Sequence, residues 1–378
     1  MKKEPEHRIP SAGPSITEAE VKLIAEAARV GWYGRRNEHL DLFKTYYGKL
    51  TKRRFVLPTS HATAALHLAL IAVGVKKGDE VIIADSSWVA PASAITYLGA
   101  KPVFADIDAD TWGLSPVSFA RRITKRTKAV IVVETFGSMP HLAEILAIAK
   151  KHKIAVIEDA AEALGSAYKG KPAGSFGDVS VMSFNATKLA TAGQGGVLAT
   201  NSKKIYNAAA HMTRHGMVPY TPNTTFWSDV IGYNYEWTNM QAAFALAQLR
   251  RLPELLRMRK SSYEWYRKGL ANIPGITLTP EIHGTKNNRW LTTIVLDKRY
   301  RITKEKLLKE FSDRGIDCRP YFYPISSMPP FKKYARNAKK ANPVAYDLSS
   351  RGISLPSSYA LTQADVRRVC NALKEILA

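Results

Sequence analysis

Ser183-Phe184-Asn185-Ala186-Thr187-Lys188, continued by Leu189-Ala190-Thr191-Ala192-Gly193-Gln194-Gly195-Gly196, places one lysine in a small-residue, hydroxyl-rich segment after the apolar run Val179 to Ser183. Asp178 and Lys188 are the only charged side chains between Lys171 and Lys203. Most lysines of a basic chain are solvated surface residues. A lysine isolated from other charges beyond a buried strand is different, because such surroundings disfavour the ammonium and leave an amine able to form a Schiff base and carry a proton. The glycines that follow allow a bound group close to the backbone.

Working outward, short β-branched runs alternate with helical patterns from Phe55 to about Val197, which predicts an α/β fold with a mostly parallel sheet covered by helices. The expected strands are Glu80–Ala84, 102–105, 129–133, 154–158 and Val179–Ser183. Open sheets of this kind bind ligands beyond the carboxyl ends of their strands. Asp85-Ser86-Ser87-Trp88, Glu134-Thr135-Phe136-Gly137, Asp159 and 185–188 all fall at such tips.

Asp159 lies in Val156-Ile157-Glu158-Asp159-Ala160-Ala161-Glu162-Ala163. A carboxylate ending a buried strand needs a partner or it protonates. A capping role at the strand–helix junction would also account for it. The protonated ring nitrogen of pyridoxal 5'-phosphate (PLP) would be a suitable partner, kept charged so that it withdraws electrons from a substrate carbon. Glu162, three residues on, could face the same tip or water. Pro58-Thr59-Ser60-His61-Ala62-Thr63 opens an apolar helix, and the free amides of Ala62 and Thr63 suit a phosphate, aided by the Thr63 and Ser183 hydroxyls. Trp88 could cover a flat ring or fill the core. Together these residues supply an amine, a pyridinium partner, a phosphate cradle and a stacking face.

Of the 378 residues, 46% are hydrophobic and 23% charged, as in an ordinary globular protein. The expected organisation is an N-terminal arm over residues 1–15, a large cofactor-binding domain over 16–250 and a small α+β domain over 251–378, with a strand near 291–296, a helix near 304–314 and a terminal helix from about Thr362. Residues 1–15 contain no apolar run of the secretory kind, the apolar run 64–75 is too short to span a bilayer and reads as a buried helix, and Cys318 and Cys370 are too far apart for a disulfide framework or a metal motif. A cytoplasmic location with no membrane or metal partner is expected. The net charge of +23 favours polyanions in general, nucleic acids or nucleotide diphosphates. Clusters such as Arg121, Arg122, Lys125, Arg126 and Lys128, or Lys332, Lys333, Arg336, Lys339 and Lys340, read as solvated surface.

Through nearly its whole length the chain resembles the DegT/DnrJ/EryC1/StrS family of sugar aminotransferases, within the aspartate aminotransferase-like fold. The resemblance rests on Gly78-Asp79-Glu80-Val81-Ile82, the stretch Gly99-Ala100-Lys101-Pro102-Val103-Phe104-Ala105-Asp106-Ile107-Asp108, residues 158–166, 174–178 and 183–196, Gly232-Tyr233-Asn234-Tyr235, Arg319-Pro320-Tyr321-Phe322-Tyr323-Pro324 and Gly352-Ile353-Ser354-Leu355-Pro356. It implies that Lys188 holds PLP, that Asp159 partners the ring nitrogen and that Ser183, Ala62 and Thr63 bind the phosphate. It further implies that Trp88 stacks on the cofactor, that Glu162 lies near its ring, and that Asn234 reaches the phosphate of the other subunit in a homodimer with shared active sites. Residues 319–324 and Gly31-Trp32-Tyr33 match regions that shape a sugar pocket.

The resemblance further implies ping-pong transamination from glutamate or glutamine to a nucleotide-linked keto-sugar. A keto-cyclitol acceptor fits the same residues. Sugar dehydration, as in relatives with histidine at the lysine position, is disfavoured by Lys188, and a DNA-binding regulator by the absence of a recognition-helix motif; a nucleic-acid partner is not expected. His61, Asn185, Gln194 and Glu236 depart from the common family pattern, the first three around the cofactor and the last at the subunit interface.

Overall fold

The computed structural model describes residues 8–378. The first seven residues of the expected arm lie outside the described residues.

A seven-stranded sheet runs in the order Phe55–Thr59, Gly196–Thr200, Val179–Ser183, Ala155–Asp159, Thr127–Val133, Glu80–Ala84, Lys101–Ala105. All five expected strands are present, their ends differing by at most two residues from the sequence reading. Neighbours from Val179–Ser183 to Lys101–Ala105 pair in parallel, and Gly196–Thr200 runs antiparallel to both of its neighbours. The central strands are mostly apolar because both faces are covered. Ile82, Val130, Val132, Val156 and Met182 point to one core, capped by helices that include Glu38–Thr51, Leu142–His152 and Asn239–Arg250. Val81, Ile83, Ile131, Ile157 and Val181 point to the other, under Ala62–Ala72, Ala90–Tyr97 and Lys203–Thr213. The apolar run at 64–75 lies mostly in the helix Ala62–Ala72, in which residues 64–70 are all buried.

Two strands of this sheet were not expected. Phe55–Thr59 contains Pro58, which lacks an amide hydrogen, and the strand survives because it is the sheet edge. Gly196–Thr200 mixes Gly196 and Ala199, which disfavour strands, with Val197 and Thr200, which favour them, and is held by pairing on both sides. Gly196 is where this strand meets the start of helix Ala62–Ala72. A Cβ there would sit 2.3 Å from the His61 carbonyl carbon and 2.4 Å from the Ala62 nitrogen. Backbone cannot yield as a side chain can, so Gly196→Ala is expected to lower stability by about 1–3 kcal/mol and to weaken PLP retention, as read from urea denaturation and cofactor occupancy.

A second, antiparallel sheet joins Ile276–Leu278, Thr293–Leu296, Gly352–Ser354 and Arg319–Pro320 in that order. Helices Lys304–Asp313 and Gln363–Leu377 pack on it around Phe311, Ile353, Val369 and Leu373. Helix Leu252–Leu270 is shared between the cores. Leu252 and Leu255 lie in the core of the large sheet, and Tyr266 and Leu270 in that of the second. Ile9 is fully buried in this second core and exchanges backbone hydrogen bonds with Gly315 and Asp317, so the described start of the chain packs against the second unit. Among the described residues no helix is long and apolar enough to cross a membrane, no group of side chains could hold a metal, and both cysteines are free.

Candidate active site

All four expected tips contribute to one cavity of about 770 Å³ at the carboxyl ends of the parallel strands, through Ser87 and Trp88, Phe136, Asp159, and Asn185 with Lys188. Residues 319–323 from the second sheet and Trp290 form the facing wall. Of the residues assigned from sequence, Ala62, Thr63, Trp88, Asp159, Glu162, Ser183 and Lys188 line the cavity, as do the atypical His61, Asn185 and Gln194. Asn234 does not. It is exposed, in a backbone bridge with Arg214, and its neighbour Glu236 pairs with Arg214 at 3.2 Å. The segment 31–33 also lies away from the cavity in this chain.

Lys188 projects into the cavity with its side chain 15% exposed. Its Nζ lies 3.3 Å from Glu162 Oε1 and 4.1 Å from the centroid of the Trp290 ring. Trp290 in turn donates through Nε1 to the Thr187 carbonyl at 2.8 Å, which ties the lysine's backbone to the far wall. Glu162 is buried, and its Oε2 accepts the Phe136 amide at 2.8 Å. It therefore orients the amine from inside the protein; the alternative of a solvated side chain does not hold.

Asp159 is buried, and its Oδ1 accepts the Ala161 amide at 3.1 Å. Burial pushes its carboxyl up to about 7, against the lowering effect of that amide and of Lys188. No lysine or arginine forms an ion pair with it among the described residues. At the cavity edge, His61 opens helix Ala62–Ala72 without a side-chain cap, leaving the first-turn amides of Ala62 and Thr63 available to an anion. Ser183 Oγ accepts the Asn185 amide at 3.3 Å, which leaves its hydroxyl hydrogen to donate. Trp88 is 60% exposed and presents an uncovered ring to the cavity. Asn185 and Gln194 bond to each other at 3.0 Å across the loop that carries Lys188.

PLP fits this donor set. A buried carboxylate short of a cation suits the pyridinium, an uncapped helix start with a hydroxyl suits the phosphate, and a reachable amine suits the aldehyde.

Other tip residues serve the fold. Asp85 accepts from the Ser326 amide at 2.8 Å, its hydroxyl at 2.5 Å and Asn342 Nδ2 at 2.8 Å, clasping the segment after residue 324. Glu134 is buried behind the cavity, where burial and the adjacent Glu158 raise its carboxyl well above the usual range. Trp290 carried no local signal, since nothing in Asn287-Asn288-Arg289-Trp290 points to a lysine a hundred residues earlier.

A parallel sheet with an amine, a buried carboxylate and a phosphate-ready helix at its strand tips is the architecture of a PLP-dependent transferase. The DegT/DnrJ/EryC1/StrS aminotransferase family matches residues 14–374. The GDP-perosamine synthase of Vibrio cholerae is 35% identical over 366 residues, covering 97% of this chain and 98% of its own. Among solved structures, DesI in the presence of its TDP-sugar product superposes with a TM-score of 0.90 at 27% identity, over 99% of this chain and 94% of its own. Spr1654 from Streptococcus pneumoniae, in its PLP form, gives 0.89 at 26% identity over 98% and 99%. The chain belongs to the DegT/DnrJ/EryC1/StrS aminotransferase family, has the aspartate aminotransferase-like fold, and is a PLP-dependent aminotransferase.

Proposed function

We propose that this aminotransferase moves nitrogen from glutamate or glutamine to a keto group on a nucleotide-linked sugar, in the cytoplasm, as a homodimer. The observation that carries this reading is the cavity itself. At about 770 Å³ it extends from Lys188 to the Arg319–Tyr323 wall, more room than a small amino acid needs. Similarity to a GDP-perosamine synthase and to DesI, whose structure was determined in the presence of its TDP-sugar product, supports a sugar nucleotide as acceptor.

PLP supplies an electron sink that makes the hydrogen on the amine-bearing carbon acidic. In this reading Lys188 would hold the cofactor, and its Nζ would carry that proton. Glu162 keeps Nζ aimed into the cavity, and the Asp159 carboxylate would accept from the protonated ring nitrogen and so keep it charged. The amides of Ala62 and Thr63 and the Ser183 hydroxyl would anchor the phosphate, and Trp88 would offer its exposed ring for stacking. Asn234 would serve the active site of a second copy. Its exposure fits that role, as does the exposure of Tyr33, Phe226 and Ile231, each at least 90% accessible in this chain.

Purified, PLP-loaded protein with glutamate or glutamine is expected to aminate at least one nucleotide-linked keto-sugar, with stoichiometric release of the 2-oxo acid. Turnover of a keto-cyclitol with none of any nucleotide-linked sugar would overturn the acceptor class while leaving the aminotransferase chemistry standing.

A further inference from the structure

A second cavity, of about 560 Å³, lies on the other side of Tyr323, which lines both. Its charged lining is Lys298, Arg301, Lys304 and Arg351 against Asp297 and Glu305. Lys298 and Arg351 share Asp347, and Asp297 pairs with Arg299, so these charges are partly spoken for. Lys304 and Arg301 are not. Lys304 is only 3% exposed, yet no carboxylate lies within 4.0 Å of its ammonium among the described residues. Its contacts are the Tyr321 carbonyl at 3.5 Å, Ser349 Oγ at 3.4 Å and the Tyr323 ring, whose centroid is 3.6 Å away. Arg301, at the mouth, is exposed and has no ion pair among the described residues.

An ammonium this enclosed is costly without a counter-charge. Burial lowers Lys304 to about 8, so it still carries its charge at neutral pH. The hydroxyls of Ser349, Ser350, Ser327 and Tyr346 surround the same space, and Leu296, Ile302 and Pro324 give it an apolar side. An oxyanion would supply the missing charge and take short charge-assisted hydrogen bonds. The volume exceeds what a bare ion fills and lies in the range of small organic ligands.

We propose that this second cavity binds a phosphomonoester, with its phosphoryl oxygens on Lys304 and Arg301 and its organic part against Leu296, Ile302 and Pro324. Nothing in this proposal depends on which acceptor the active site uses, and its test needs no turnover.

The test is a calorimetric titration of the PLP-saturated holoenzyme, whose cofactor phosphate cradle is already filled, with glycerol 3-phosphate and with inorganic phosphate at constant ionic strength. Saturable binding is expected, tighter for the ester. Lys304→Met is expected to weaken it by about 10- to 100-fold, the loss of a charged hydrogen bond. Arg301→Asn, an exposed change that suits the left-handed backbone at this position (φ 44°) and does not burden folding, is expected to weaken it measurably as well. No saturable binding, or equal binding by wild type and both variants, would place any bound phosphate elsewhere and overturn the proposal. Inorganic phosphate binding as tightly as the ester would overturn the assignment of the organic part. Should Lys304→Met fail to fold, Arg301→Asn decides alone.

Discussion

Lys188→Ala is expected to reduce both half-reactions by about 10⁴-fold or more and to remove the visible absorbance of protein-bound PLP. The size of the effect follows from the surroundings. Among the described residues Lys188 is the only lysine lining the main cavity, so none of the others is placed to attach the cofactor or carry the proton. Glu162 at 3.3 Å and the Trp290 ring at 4.1 Å fix where its Nζ points, and loss of the side chain leaves both without a purpose in catalysis. Stopped-flow mixing with glutamate, followed by the acceptor, separates the two half-reactions. Wild-type rates in either one would remove Lys188 from the chemistry.

Asp159→Asn is expected to cost about 10²- to 10⁴-fold in kcat, because the neutral amide no longer holds a proton on the ring nitrogen, while PLP still attaches to Lys188. The same variant has a second consequence in PLP-free protein. The carboxyl of Asp159 is raised to about 7 by burial, whereas an unfolded aspartate titrates near 4. Between those values the folded chain keeps a proton that the unfolded chain has released. Stability is therefore fully present below about pH 4 and falls as pH rises through about 7. Asp159→Asn should abolish this component, so the PLP-free variant should match wild type in Tm at pH 4 and exceed it at pH 8. Parallel Tm curves for the two proteins across that range would contradict the assignment. Glu134 and Glu158 are also raised by burial, and because the Glu158 charge acts on Asp159 and the Asp159 charge on Glu134, the difference reads Asp159 together with this carboxylate cluster.

The central strands were legible in the sequence because strands buried on both faces are continuous apolar runs, and their polar ends marked where a ligand sits. Val179–Ser183 followed by a lysine with no charged neighbour in the sequence pointed to the cavity only together with Asp159 and the helix start at Ala62. In the fold that lysine has Glu162 Oε1 3.3 Å from its Nζ. Phe55–Thr59 was hidden by Pro58, which only an edge position tolerates, and edge position is a property of the sheet and not of the segment. Glu162 is indistinguishable from a surface glutamate until the turn at residues 135–137 brings the Phe136 amide to it. Trp290 and the wall 319–323 come from chain well beyond the last strand of the large sheet, with no periodicity that ties them to Lys188. Lys304 was equally silent, since burial of a lysine beside Tyr323 is decided by packing between helix Lys304–Asp313 and the segment after residue 319. Of the two basic clusters, both read as solvated surface, Arg122 of the first donates to Asn342 Oδ1, two residues beyond Lys340 of the second.

The claim on which the account turns is that Lys188 carries the cofactor in the cavity at the strand tips. Borohydride reduction of the PLP-loaded protein, followed by proteolysis and mass spectrometry, reads this directly. One phosphopyridoxyl group per chain is expected, on the peptide containing Lys188 and at that residue. A label on any other lysine, with Lys188 unmodified, would contradict it.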